Sequence, residues 1–512
     1  MKPNLYSLFA LVLLAGYVRA NDVNVLDFGA VRDGKTLCTQ AIQQAVDRCA
    51  ATGGGTVTVP PGTFLTTTIL LKSHVNLHIQ KGAVVLGSTD PKAFTKAVIL
   101  AEGIQDASIT GLGTIDGQGF KKDYPTTGPR HNNIQLFKST NVTVKDVTLI
   151  NSSSWVLRIL QSNRVIVQGV RIYSFSNENN DGIDIDGKDI AISDCIIDCD
   201  DDAMCLKSDD PNSLVENVAI SNCVIASNCN AIKFGTASLC GFKNVSISNC
   251  VIRAPSEAAH RRWSTTIRGV TSDRTVISGV ALEVVDGGFM DQVVITNISM
   301  TGVQTPLFIR LGSRRGPGSL RNVVISNITA TNESLITSSI TGIPGSYVEN
   351  VIVKDVIFHY KGTGTLAEAG APVPEQEKNY PENRMFGYSL PAYGLYVRHV
   401  KNLSCENFRF HLNAPDARPA VVLDDCHNVK LNGFDVDQPS DDQPLIRLIQ
   451  STNVAVSGYQ SATPVSRFLK VEGERSSDIK LIGNDFARVK SVTECSSGAV
   501  NTSIREINNL RQ

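Results

Sequence analysis

Asn217–Ile225 reads NVAISNCVI, and Asn244–Ile252 reads NVSISNCVI, 27 residues further on. Within each phrase apolar and polar residues alternate, the pattern of a strand with one buried face. Related phrases start at Asn141 (NVTVKDVTL), Arg164 (RVIVQGVRI), Asp189 (DIAISDCII), Gln292 (QVVITNISM), Asn322 (NVVISNITA) and Asn350 (NVIVKDVIF), and weaker ones at Asn402, Asn428, Asn453 and Asp478. Most spacings run from 23 to 30 residues, with two gaps near 50 where a coil has diverged or carries an insertion. One strand phrase per coil, with a second short strand and polar turns between, does not suit a sandwich meander. It suits an all-β chain built as a single right-handed parallel β-helix, each coil pairing with the next at about 4.8 Å. Such a solenoid needs capped ends, and TQAIQQAVDRC at Thr39–Cys49 predicts an N-terminal capping helix.

The repeat array absorbs a length that would otherwise suggest several domains, so residues 21–512 are read as one β-helix domain. Residues 1–20, MKPNLYSLFALVLLAGYVRA, carry an early lysine, an apolar run and small residues before Asn21, and read as a signal peptide cleaved after Ala20. Export to the periplasm or the exterior follows, with no membrane anchor, since no later apolar run is long enough to span. A formal charge of −1 supplies no broad basic field, which argues against a nucleic-acid partner. The twelve cysteines do not form a small-protein disulfide framework. Cys195, Cys223 and Cys250 recur at one place in the repeat and read as stacked small hydrophobes, while a Cys38–Cys49 bridge stays open. Cys195 and Cys199 lack the partners of a zinc site, and no metal or cofactor is expected. The chain is expected to be a monomer.

Stacking the coils by their inward pairs aligns Leu157/Ile159, Ile183/Ile185, Met204/Leu206, Ile232/Phe234, Val280/Leu282 and Ile309/Leu311. The residues between them point outward: Arg158, Asp184, Cys205, Lys233, Ala281 and Arg310. Two positions before each pair lies a second column, Trp155, Asp181, Asp202, Asn230 and Ser278. Asp181 and Asp202 therefore fall on consecutive coils, with Asp201 at the same bend. Crowded carboxylates raise at least one pKa, so one can hold a proton while another stays anionic, as glycoside hydrolysis requires. A calcium site or a solvated acidic turn is an equal reading of the spacing alone. Trp155 reads first as a residue filling the coil corner, and second as a stacking platform. The loop Pro372–Pro391 could wall a binding site or be a solvated excursion, and Tyr393 or Tyr396 could reach sugar after it.

The run NSSSWVLRILQSNRVIVQGVRI, then NNDGIDID and DDDAMCLKS, resembles glycoside hydrolase family 28, the polygalacturonase family with the pectin lyase-like fold, most strongly from Arg130 to Ile252. The resemblance implies inverting, cofactor-free hydrolysis of an acidic plant-type pectic polysaccharide or oligosaccharide. It implies that Asn179 and Asp181 belong to the Asn-x-Asp motif and Asp201 and Asp202 to the Asp pair. Asp201 would be the proton donor, with Asp181 and Asp202 holding and deprotonating water. Two family motifs are altered. Cys229–Asn230–Ala231 stands where Gly-His-Gly is expected, and Ala281–Leu282–Glu283 where Arg-Ile-Lys would grip a uronate carboxylate. Replacing cations by Ala and Glu would repel that carboxylate, pointing to rhamnogalacturonan or a branched pectin fragment. Asn179, Asp184, Lys207, Asn230, Lys233, Glu283 and Arg310 are the expected substrate-binding residues. A lyase or epimerase, and a non-catalytic carbohydrate-binding solenoid, are the competing readings.

Overall fold

Each polar residue that starts a repeat phrase takes a left-handed backbone conformation, with φ between 51° and 60° from Asn141 to Asp478. Asparagine and aspartate tolerate that region better than other residues with a Cβ, which explains their recurrence there. Their side chains also bond from coil to coil. Asn244 Nδ2 donates to Asn217 Oδ1 at 2.8 Å, Asn350 to Asn322 at 2.9 Å, Asn402 to Asn350 at 2.9 Å and Asn428 to Asn402 at 2.7 Å. The ladder turns the chain once per coil and locks neighbouring coils together.

The computed structural model describes residues 22–511 apart from 262, 441 and 462. The expected signal peptide lies outside the described residues. The named strands form one 36-stranded sheet in which coil pairs with coil in parallel, a right-handed β-helix. A helix α1 (Thr39–Ala51) buries Ile42, Ala45, Val46 and Cys49 against the first coils, the expected cap. One apolar core runs from Val25 to Val492 inside the coils. Cys195, Cys223 and Cys250 are buried in it, and Cys38 donates its thiol to the Val31 and Thr36 carbonyls rather than forming the bridge left open above.

The inward ladders form as read through Leu157, Ile183, Met204, Ile232 and Val280. The next coil differs by two residues: Val280 pairs with Leu307 and Leu282 with Ile309. Leu307, Ile309 and Leu311 are all buried, so the alternation PLFIRLG fits either register, and Val284 extends the preceding strand to meet Leu311. Phe308 therefore follows Ala281 in the outward column, and Arg310 lies beside Glu283.

The two wide gaps in the repeat are insertions. Residues 254–277 leave the coil with a short turn of helix at Trp263–Thr266, and residues 361–394 leave it with another at Leu366–Ala369. Both fold back onto the same side of the solenoid, where Arg384 lies 5.3 Å over the Trp263 ring.

Candidate active site

The second column of the sequence reading exists. Val156 N donates to the Asp181 carbonyl, Gly182 N to that of Asp202 and Ala203 N to that of Asn230, each at 2.8–2.9 Å. This register settles the triplet: Asp202 stacks on Asp181, and Asp200 sits one step away with its carbonyl held by Arg261 Nη1 at 2.7 Å. Asp181, Asp201 and Asp202 line a cavity of about 450 Å³ together with Trp155, Asn179, Lys207, Asn230 and Lys233. The insertions build its walls, Arg261 and Trp263 from the first, Tyr380, Glu382 and Arg384 from the second. Segment 372–391 is thus a wall of the cleft. Trp155 is half-buried and faces the cleft rather than only filling a corner, with Arg158 4.3 Å from its ring.

Each aspartate has its own partners. Lys207 Nζ lies 2.7 Å from Asp181 and 2.9 Å from Asp184, one cation for two carboxylates. Burial pushes Asp181 well above the usual carboxylate range, with Lys207 opposing and Asp184, Asp201 and Asp202 adding to the rise. Asp184 is raised by the same burial, sits behind Lys207 and does not line the cleft. Asp202 moves the other way. Burial would raise it, but Lys233 at 3.1 Å, Lys207 and the Asn230 amide at 2.7 Å outweigh that and hold it ionised. Asn230, standing in the altered Gly-His-Gly motif, thereby fixes the Asp202 carboxylate.

Asp201 accepts from Arg261 Nη2 at 2.6 Å through Oδ2, and from the Asp202 amide at 2.9 Å through Oδ1. Arg261 was not anticipated from the sequence, because an irregular insertion carries no periodicity that could place it on a coil. Asn179 lines the cavity and accepts from Arg130 Nη2 at 3.1 Å.

Three expected contacts differ. Glu283 is wholly buried behind Lys233, at 4.0 Å, and burial pushes its carboxyl up to about 8, so at neutral pH it carries a proton and faces no sugar. The expected repulsion of a uronate by Glu283 therefore has no basis. Arg310 is 1% exposed and donates to the carbonyls of Gly342, Glu375 and Gln376, so it anchors the wall segment instead of meeting substrate. Tyr393 and Tyr396 are buried, their hydroxyls donating to the Asp437 carbonyl and to Asp424. Arg314 is bidentate on Asp286.

The family model described as rhamnogalacturonase A/epimerase, pectate lyase-like, matches residues 22–254, the span that holds the three aspartates. Over that span, a little under half of the chain, the sequence is similar to the polygalacturonase-type proteins of glycoside hydrolase family 28. A protein named "Probable polygalacturonase" from Vitis vinifera is 32% identical over 224 residues, covering 37% of this chain and 45% of its own length. A "Probable rhamnogalacturonase E" of Aspergillus oryzae is 26% identical over 200 residues, 38% of this chain and 45% of that one. Among solved structures, a hyperthermoactive exopolygalacturonase from Thermotoga maritima matches with a TM-score of 0.61 over 76% of this chain and 92% of that one, at 22% identity, a likeness of fold. The chain spans about half the length of the curated relatives it matches. Within the matched span lie the stacked aspartates, and around them stand Arg261, Lys233 and the two insertions.

Proposed function

We propose that the chain is an exported, cofactor-free glycoside hydrolase that cleaves uronate-containing pectic polysaccharide with inversion, as one β-helix domain spanning residues 21–512. The observation that carries this reading is the stack of Asp181, Asp201 and Asp202 on a cleft floor, with environments that drive Asp181 up and Asp202 down. Asp202, held ionised, suits the base, and Asp201, at the same bend and lining the cleft, takes the acid role that the resemblance implies.

In this reading Asp202, held ionised by Lys233 and Asn230, is the base that takes a proton from water. Asp181, kept high by burial, positions that water rather than deprotonating it, a change from the shared base role that the resemblance implies. Asp201 is the proton donor. Both of its oxygens accept hydrogen bonds, Oδ2 from Arg261 and Oδ1 from the Asp202 amide, so a glycosidic oxygen takes the place of Arg261 at Oδ2 to receive the proton. Lys207 neutralises Asp181 and Asp184 together and holds the floor in place. No step calls for a metal, and names of relatives that act on galacturonan and rhamnogalacturonan support a pectic substrate.

Asp201→Asn should lower turnover by roughly 10²–10⁴, the usual contribution of one general acid. Reducing-end release on polygalacturonate, rhamnogalacturonan and branched pectin fragments tests both the activity and the substrate. Release that is unchanged in Asp201→Asn would overturn the reading.

A further inference from the structure

The cleft is lopsided. On the coils that follow Lys233, the outward residues Ala281, Phe308 and Arg310 are 0–1% exposed, and Asn383 of the wall segment is buried with its amide on the Ile277 carbonyl at 2.8 Å. Segment 372–391 therefore covers the position where a family 28 chain would carry its Arg-Ile-Lys cations. On the opposite side the outward column opens at Arg158, whose side chain is 22% exposed, between buried Asp184 and Gln135. Asp184 pairs in register with Arg158, and Arg158 with Gln135. Here a second cavity of about 310 Å³ adjoins the first across Trp155 and Arg158, which line both.

The two cavities differ in charge balance. In the first, the carboxylates of Asp181, Asp201, Asp202, Asp209 and Glu382 are matched by five cations, Lys207, Lys233 and Arg261 among them. The second is lined by Lys96, Arg130 and Arg158 with no carboxylate, over a floor in which buried Asn132 donates to buried Gln135 at 3.0 Å. Arg158 reaches Asp209 only at 3.5 Å, and Lys96 reaches Glu102 at 3.5 Å with both side chains well exposed, so neither cation is tightly held by a carboxylate, and each rests against a ring, Trp155 and Phe137. Exposed pairs of this kind contribute little and are readily exchanged for a better anion.

We propose that this second cavity is a sugar subsite that reads the carboxylate of a uronate, one coil or two to the N-terminal side of the aspartates. The binding of charge is thus moved from the covered side of the cleft to the open side. Arg158 and Lys96 supply charge-assisted hydrogen bonds to the carboxylate, and Arg130, which already donates to Asn179, couples the subsite to the catalytic floor. The sugar on the other side of the scissile bond meets Tyr380, Arg384 and Trp263 and is selected by shape. This inference rests on the hydrolytic reading for the position of the scissile bond, but its test does not depend on turnover.

The test is calorimetric binding of tetragalacturonate and of its methyl ester to the Asp201→Asn protein, then to the same protein carrying Arg158→Gln or Lys96→Gln. The acid should bind roughly tenfold or more tighter than the ester, the worth of one charge-assisted contact, and either substitution should shrink that ratio. Lys96→Glu, at a side chain 43% exposed and so tolerant of change, should reverse the preference. Equal affinity for acid and ester, a ratio indifferent to these substitutions, or no binding of either ligand would overturn the subsite. If binding discriminates but the unsubstituted chain releases no product from any uronate oligosaccharide, the hydrolytic reading falls and the subsite stands.

Discussion

Glu283→Gln should remove a pH-dependent weakness from the fold. Glu283 is wholly buried, its Oε2 accepts from Thr236 at 3.3 Å, and burial pushes its carboxyl from an ordinary 4.5 up to about 8. A carboxyl raised in the folded state stabilises the fold fully below its unfolded pKa, and that stability is lost as pH rises through the folded value. The window is therefore about 4.5 to 8. At about 1.36 kcal/mol per unit, an upper figure for the loss is roughly 5 kcal/mol. Glutamine keeps the shape and does not titrate, so the variant should match the parent near pH 5 and exceed it above pH 8. Scaling an unfolding entropy of about 2.1 cal/mol/K per residue to this length gives roughly 1 °C per kcal/mol, so melting temperatures should part by up to about 5 °C. Thermal unfolding of both proteins at pH 5, 7 and 8.5 makes the comparison. A constant offset across that range would refute the reasoning, since Glu283 would then ionise as it does in an unfolded chain.

The asparagine ladder separates backbone from side-chain effects. Asn350→Ala loses the bonds to Asn322 and Asn402 and keeps a Cβ at φ 56°, whereas Asn350→Gly loses the bonds and relieves that Cβ, so alanine should be the less stable by about 1–2 kcal/mol in unfolding free energy from denaturant titrations. The donor role of Asp201 can be read from leaving groups. On an aryl uronide, whose leaving group needs no proton, Asp201→Asn should keep most of the parent's rate, while Asp202→Asn should lose roughly 10²–10⁴ on aryl and natural substrates alike. Arg261→Gln, by freeing Asp201 Oδ2, should change the pH profile of turnover while leaving the profile of thermal stability nearly parallel to that of the parent.

The fold was legible because its signals are local and repeated. An asparagine that accepts φ near +55°, followed by alternating apolar residues, specifies one turn and one inward ladder, and it recurs often enough to rule out a meander. The same arithmetic put Asp181 and Asp202 in one column, since residues two before the inward pair occupy equivalent places on every coil. It failed at Pro306–Gly312, where three buried apolar residues in alternation allow two registers, and Arg310 was placed outward toward sugar when it is sealed beneath a wall. Arg261, Trp263, Tyr380 and Arg384 were beyond reach for a different reason. They lie on insertions whose path is set by contacts distant in sequence, such as Arg310 with Glu375 and Asn383 with Ile277, and no periodicity predicts those. Charge was misread at Glu283 because alternation does not reveal how deeply a side chain between two coils is buried.

The central claim is that the stacked aspartates deliver water to an anomeric carbon. Proton NMR of the anomeric signals during the first turnovers of a uronate oligosaccharide tests it most directly. The account predicts a saturated product whose new reducing end first appears with inverted configuration and then mutarotates, with the signal lost in Asp201→Asn. A product that first appears with retained configuration, or one carrying an unsaturated sugar at its new non-reducing end, would contradict it.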